Sequence, residues 1–217
     1  MFHKKFVLAM IAASALAIAI STIVFSSNPP NNSAPDTETG RKPRIDEING
    51  EVTATLPFFH RIDENYLRGS QPLHGGIATL SRLGVKTLVD LRSSYDHTDD
   101  LRLAAEAAGL DYEWVPTSVW NPPTDEEANR FVSLVTSTDR GPFFVFCADG
   151  LNRIGEMTAI YRIAHNNWSV QKALDEADEL GFSPYYYNLR SYVWDYARKF
   201  RPNSVPPTGR RISTAGL

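Results

Sequence analysis

The chain contains a single cysteine, Cys147, and an arginine follows it six positions later in the stretch FFVFCADGLNR, residues 143–153. The reactive form of cysteine is the thiolate, so its surroundings decide whether it has chemistry. Between Cys147 and Arg153 lie Ala148, Asp149, Gly150, Leu151 and Asn152, at the point where an apolar run gives way to a helical pattern. Successive amides in a short loop leading into a helix form an anion nest, and the helix dipole adds positive potential there. Both effects favour a thiolate, and the guanidinium of Arg153 can take two phosphate oxygens at once. The spacing therefore predicts a loop, 148–152, that holds a tetrahedral dianion while Cys147 is aimed at its centre. The alternative is a small core cysteine and a solvated helix arginine.

Strand and helix signals alternate around that loop. HRIDENYLRGSQP reads as a hairpin or extended segment, IATLSRLG (77–84) as a short helix ended by Gly84, and VKTLVDLR (85–92) as a β-branched strand. A helix is expected near DDLRLAAEAAGL, closed by Gly109, and a strand over DYEWVPT (111–117). Thr124 and Glu127 stand in capping-box spacing at the head of the next helix. PFFVFC (142–147) is a continuous apolar run, as a parallel strand buried on both faces should be, and helices follow near 153–165, 169–180 and 185–200. This order predicts an α/β domain with a mostly parallel central sheet flanked by helices. In such sheets ligands bind beyond the carboxyl ends of the strands, where Cys147 falls.

At these residues the chain resembles the cysteine-dependent protein tyrosine phosphatase superfamily and, among its branches, the dual-specificity phosphatases. The resemblance extends over most of residues 60–198 and rests on YLRGSQP, KTLVDLR, CADGLNR and the helix after it. It implies a hydrolase acting on phosphomonoesters, including phosphoproteins, in which Cys147 forms a phosphocysteine and Arg153 clamps substrate and transition state. It implies no cofactor and no metal. Three departures stand out: Phe146 where a histidine commonly precedes the cysteine, Ile154 where a Ser or Thr commonly follows the arginine, and Asp149 within the loop. The last resembles the CxDGxxR form of myotubularin-type lipid phosphatases. The other two leave open a phosphate-binding module of weak turnover, a decayed phosphatase fold. The family also uses a general acid, usually an aspartate before the cysteine strand; Asp125 in NPPTDEEANR is the leading candidate, with Asp149 and Asp111 behind it.

The 217 residues are 42% hydrophobic and 22% charged, which fits a folded chain. A net charge of -3 without basic runs argues against a nucleic-acid partner. One cysteine excludes an internal disulfide, and five scattered histidines show no metal-ligand spacing. Lys4 and Lys5 precede an uncharged apolar run, residues 6–25, long enough to span a bilayer. Residues 1–25 are thus expected to be a single-pass transmembrane anchor, with the N-terminus cytoplasmic and the rest exported to the periplasmic or extracellular side. Residues 26–50, rich in Pro, Asn, Ser and Thr, read as a linker, 51–200 as the catalytic domain and 201–217 as a disordered tail. The expected partners are a phosphorylated substrate and the membrane. Ser169 to Lys172 matches SxxK, the motif of penicillin-binding enzymes, but its partner motifs are absent and Ser169 reads as a helix cap. The aromatic cluster from Tyr185 to Tyr196 reads as a terminal helix packed on the sheet.

Overall fold

The computed structural model describes residues 47–205. The expected membrane anchor over 1–25, the linker as far as residue 46 and the tail from 206 lie outside the described residues. Among the described residues no helix is long and apolar enough to cross a membrane.

Five strands form one sheet in the order β1-β2-β5-β3-β4. They are β1 (His60–Arg61), β2 (Tyr66–Ser70), β3 (Thr87–Asp90), β4 (Asp111–Trp114) and β5 (Phe143–Cys147). Only β1 is antiparallel, pairing with β2 as the hairpin reading of HRIDENYLRGSQP anticipates. The rest is parallel, with β5 between β2 and β3. The expected α/β domain, a central sheet flanked by helices, is therefore what the chain adopts.

Alternation along β5 builds both layers, since successive side chains of a strand point to opposite faces. Phe143, Val145 and Cys147 join a core with helices α4 (Asp125–Val135), α5 (Asn152–Ala164), α6 (Val170–Glu179) and α7 (Tyr187–Phe200). Phe144 and Phe146 join a second core beneath α1 (Asn49–Thr55), α2 (Gly76–Arg82) and α3 (Asp99–Ala107). A run apolar at every position is required here, because neither face of β5 meets water. Burying such side chains contributes about 1.5–3 kcal/mol each.

Local signals explain most boundaries. Thr124 Oγ1 accepts from Glu127 N at 3.2 Å while Glu127 Oε2 accepts from Thr124 N at 2.7 Å, closing the capping box that starts α4. Ser169 Oγ accepts from Lys172 N at 3.3 Å, so it caps α6 as read. Helix α5 is buried on nearly every side from Arg153 to Ala164, as a central helix must be. Two segments extend the ordered body beyond 51–200. Helix α1 begins at Asn49 and inserts Val52 into the second core; a short 3-10 turn, Pro202–Ser204, buries Ser204. Helix α7 packs against α5 and α6 rather than on the sheet. Of its aromatic cluster, Tyr192 and Tyr196 are buried whereas Tyr185 and Tyr187 are 80% and 71% exposed, so the cluster is only partly core.

Candidate active site

Cys147 is the last residue of the central strand, in register with Ser70 of β2. Its thiol is free and nearly enclosed, with 1% of the residue exposed. The chain then turns through Ala148, Asp149, Gly150 and Leu151 and enters α5 at Asn152. Among the described residues no backbone bond uses the amides of Asp149, Gly150 or Leu151, which leaves them available to an anion at the positive end of α5.

Two contacts fix the shape of this loop. Gly150 has φ of 70°, and a Cβ there would come within 2.6 Å of both N and Oγ of Ser70, so only glycine fits. From below, Arg68 Nη2 donates to the Gly150 carbonyl at 2.9 Å. The far end is tied by Asn152 Oδ1, which accepts from Ser183 N at 3.0 Å, and by Leu151 closing over Gly181.

Arg153 lies one residue into α5, 5% exposed, with Nη1 2.6 Å from Asp96 Oδ2. That hydrogen bond holds the Asp96 carboxyl below the usual carboxylate range. Asp96 belongs to the loop after β3, which a buried network anchors. Asp90 takes the Arg92 guanidinium at 2.7 Å and also accepts from Tyr112; Arg92 Nη1 then donates to Gln71 Oε1 at 2.9 Å and to the Asp96 carbonyl at 3.2 Å. Beneath it the Phe146 ring centroid is 5.5 Å from the guanidinium carbon. Phe146 thus serves the opposite face of the sheet from Cys147. Asp96, Asp149 and Arg153 line one cavity of about 520 Å³, rimmed by Tyr95, Trp120 and Tyr186. A second hollow, about 550 Å³, lies across the loop against Phe58, Ser70, Ala148 and Leu151.

The three expected acids fall in different places. Asp149 is exposed at the loop and lines both hollows. Asp125 is not brought to the cavity: it opens α4 with its carboxylate 2.7 Å from Lys199 Nζ and 3.1 Å from Tyr192 Oη, and the Lys199 contact lowers its pKa. Asp111 starts β4, level with Phe143 through Thr87, and pairs loosely with Arg140. Four residues of strand put that level about 13 Å from Cys147. Arg68 and Asp96 are the site residues that sequence reading missed. Among the described residues no group of three or more His, Cys, Asp or Glu side chains is placed to hold a metal ion.

The strand-end cysteine, the loop of open amides and the helix-borne arginine all fall within residues 147–153. The family model for the DSP-PTPase phosphatase fused to NAD+ kinase matches residues 59–190, a span that includes Cys147, Arg153 and the loop between them. The chain belongs to this phosphatase family. The chain is 30% identical over 123 residues to the dual specificity protein phosphatase TpbA of Pseudomonas aeruginosa, covering 57% of this chain and 54% of the relative. It thus spans about half the length of that curated relative. It is also 30% identical over 102 residues to the probable chloroplastic NAD kinase 2 of Oryza sativa subsp. japonica, covering 45% of this chain and 10% of that one. Among solved structures, P. aeruginosa TpbA with a cysteine-to-serine change, in complex with pTyr, is 26% identical with a TM-score of 0.57, covering 67% of this chain and 89% of that one.

Proposed function

We propose that this phosphatase hydrolyses phosphomonoesters through a phosphocysteine on Cys147. The observation that supports the reading is the order of three features along one short segment: Cys147 ending β5, the amides of residues 149–151 outside the backbone hydrogen bonds of the described residues, and Arg153 at the start of α5, where it lines the cavity with Asp149. The loop amides and Arg153 bind the non-bridging oxygens. The sulfur attacks phosphorus, an S–P bond forms, and the bond to the leaving oxygen breaks with its electron pair going to oxygen. A carboxyl protonates that oxygen. Asp96 suits this role, since a bound dianion takes its place on Arg153 and leaves it beside new negative charge, where a proton is held more tightly. Water then attacks phosphorus and the S–P bond breaks, returning the thiolate and releasing phosphate.

The phosphotyrosine bound by TpbA supports an aryl phosphate, protein-borne, as the substrate, and the rim of Tyr95, Trp120 and Tyr186 suits a ring. The uncharged run over 6–25 behind Lys4 and Lys5 supports a membrane-anchored, exported enzyme. Ile154 in place of a hydroxyl residue favours a second reading, a phosphate-binding module of weak turnover.

Turnover of an aryl phosphate by the purified chain separates the two. Cys147→Ser should abolish turnover and keep vanadate binding, and Arg153→Ala should weaken both. Full activity in Cys147→Ser overturns the nucleophile; vanadate binding without turnover in the unaltered chain selects the second reading. Protease added outside the membrane should remove the domain from intact cells, and protection equal to a cytoplasmic control overturns the topology.

A further inference from the structure

Arg68 of β2 is a buried cation without a counter-ion. Its residue exposure is 0%, its Nη2 donates to the Gly150 carbonyl, and Nε and Nη1 have no partner among the described residues. The carboxylate that interacts with it, Glu176, is engaged by Arg162. A guanidinium taken from water without a compensating charge is costly. This one is placed where the cost is greatest, beneath the loop at the positive end of α5.

The placement follows from strand alternation. Tyr66 faces the α5 layer together with Phe143, Val145 and Cys147, so Arg68, two residues on, points to the same face as the sulfur. Negative charge at the loop relieves both the missing counter-ion and the opposition of the helix dipole. Two such charges arise in the reaction: the thiolate and the phosphoryl group.

Resting on the phosphatase reading above, we infer that Arg68 is a positioning residue whose buried charge, transmitted at the floor of the loop through Gly150, stabilises the Cys147 thiolate and the bound phosphate. The titratable groups that face it are Tyr66 on its own strand, Cys147, Glu176 of α6 and, across the hairpin on β1, His60; the first three oppose the lowering that burial imposes on Arg68, while Arg68 in turn, after burial, lowers the pKa of His60.

The test uses the purified full chain and three readouts: thermal stability, the Kd of inorganic phosphate, and the pH profile of Cys147 alkylation. Arg68→Met keeps the volume and drops the charge. A buried ion replaced by an apolar side chain of similar size is generally neutral or stabilising, so the melting temperature should hold or rise. Phosphate should bind about tenfold more weakly, the loss expected of one favourable charge interaction, and the alkylation profile should move to higher pH. Arg68→Lys should recover part of both. If Arg68→Met fails to fold, Arg68→Gln, which keeps a donor for Gly150 without the charge, decides the question on the same two site readouts. Unchanged phosphate binding and an unchanged alkylation profile in a folded charge-free variant overturn the inference. Arg153→Ala is the control that separates the two levels: if it too leaves phosphate binding intact, the phosphatase reading falls instead.

Discussion

Asp96 and Arg153 form an ion pair at the wall of the cavity, Oδ2 2.6 Å from Nη1, so the residue proposed to bind phosphate is already held by a carboxylate of the chain. Substrate and Asp96 compete for the same donors. Asp96 is 38% exposed at its side chain, and solvent limits such a pair to about 1 kcal/mol, roughly fivefold in affinity. Asp96→Asn should therefore tighten inhibition by phosphate up to about fivefold. The same variant should slow esters with poor leaving groups more than activated aryl phosphates, since only the former need a proton in the transition state. Equal slowing of both classes assigns the proton to Asp149, to be checked by Asp149→Asn in the same pair of assays.

Gly150→Ala should damage binding more than folding. The added Cβ meets backbone and hydroxyl of Ser70 at 2.6 Å on a left-handed residue, and neither neighbour is a flexible side-chain end. The loop must lift away from β2, turning its amides off the phosphate. A strained left-handed residue costs about 1–3 kcal/mol, so phosphate affinity measured by calorimetry should fall by at least tenfold while the far-ultraviolet circular dichroism stays native.

Glu156, one turn beyond Arg153 on α5, is 0% exposed with neither carboxylate oxygen bonded among the described residues. Burial raises its pKa well above 4.5. An acid held protonated only in the folded state lowers stability as pH rises: below about 4.5 both states carry the proton, above it the unfolded chain alone releases one, and the loss levels off once the folded value is passed. Glu156→Met should thus raise the melting temperature at pH 8 by several degrees, about 1–2 kcal/mol, and by less at pH 4. An equal effect at both pH values rules out ionisation as the cause.

Ile154 shares the buried core with Cys147 and offers no hydrogen bond to the sulfur when it leaves phosphorus. Breakdown of the phosphocysteine should limit the rate, giving a burst of one product equivalent in stopped flow. Ile154→Thr restores a donor to a charged acceptor, worth about 1.5–3 kcal/mol or roughly one to two decades if realised fully in that step. The steady state should rise and the burst stay nearly constant. No burst in the unaltered chain, with no gain in Ile154→Thr, shows that another group, Arg68 foremost, already carries that load.

The parts of the fold that are local in sequence are the parts legible in it. The apolar run ending at Cys147, the capping box of Thr124 and Glu127, and the glycine stops at Gly84 and Gly109 each depend on neighbours a few residues away, and the structure places them within a residue or two of the reading. Arg68 was hidden because its partner is 82 residues further on; YLRGSQP alone reads as a polar-interrupted hairpin. Asp96 was hidden in SSYDHTDD, whose composition is that of a solvated loop until the Arg92 network holds it over Arg153. Asp125 drew attention through its place before the cysteine strand, yet the side chains that claim it, Tyr192 and Lys199, come from the far end of the domain. Helix α1 has one fully buried side chain, Val52, too little apolar pattern to announce itself.

The bond from Arg68 to Gly150 also has a meaning in time. Strand β2 finds its place only after β5, 77 residues downstream in register, has been made and paired; contacts so distant in the chain form late in folding. Until then the only thiol of the protein has neither the buried cation below it nor the closed loop around it, and behaves as an ordinary cysteine. On the proposed reading, reactivity waits for completion of the sheet. On that reading a chain in the course of synthesis is spared the oxidation to which an activated thiolate is prone, and the folded protein becomes susceptible at the moment it becomes competent.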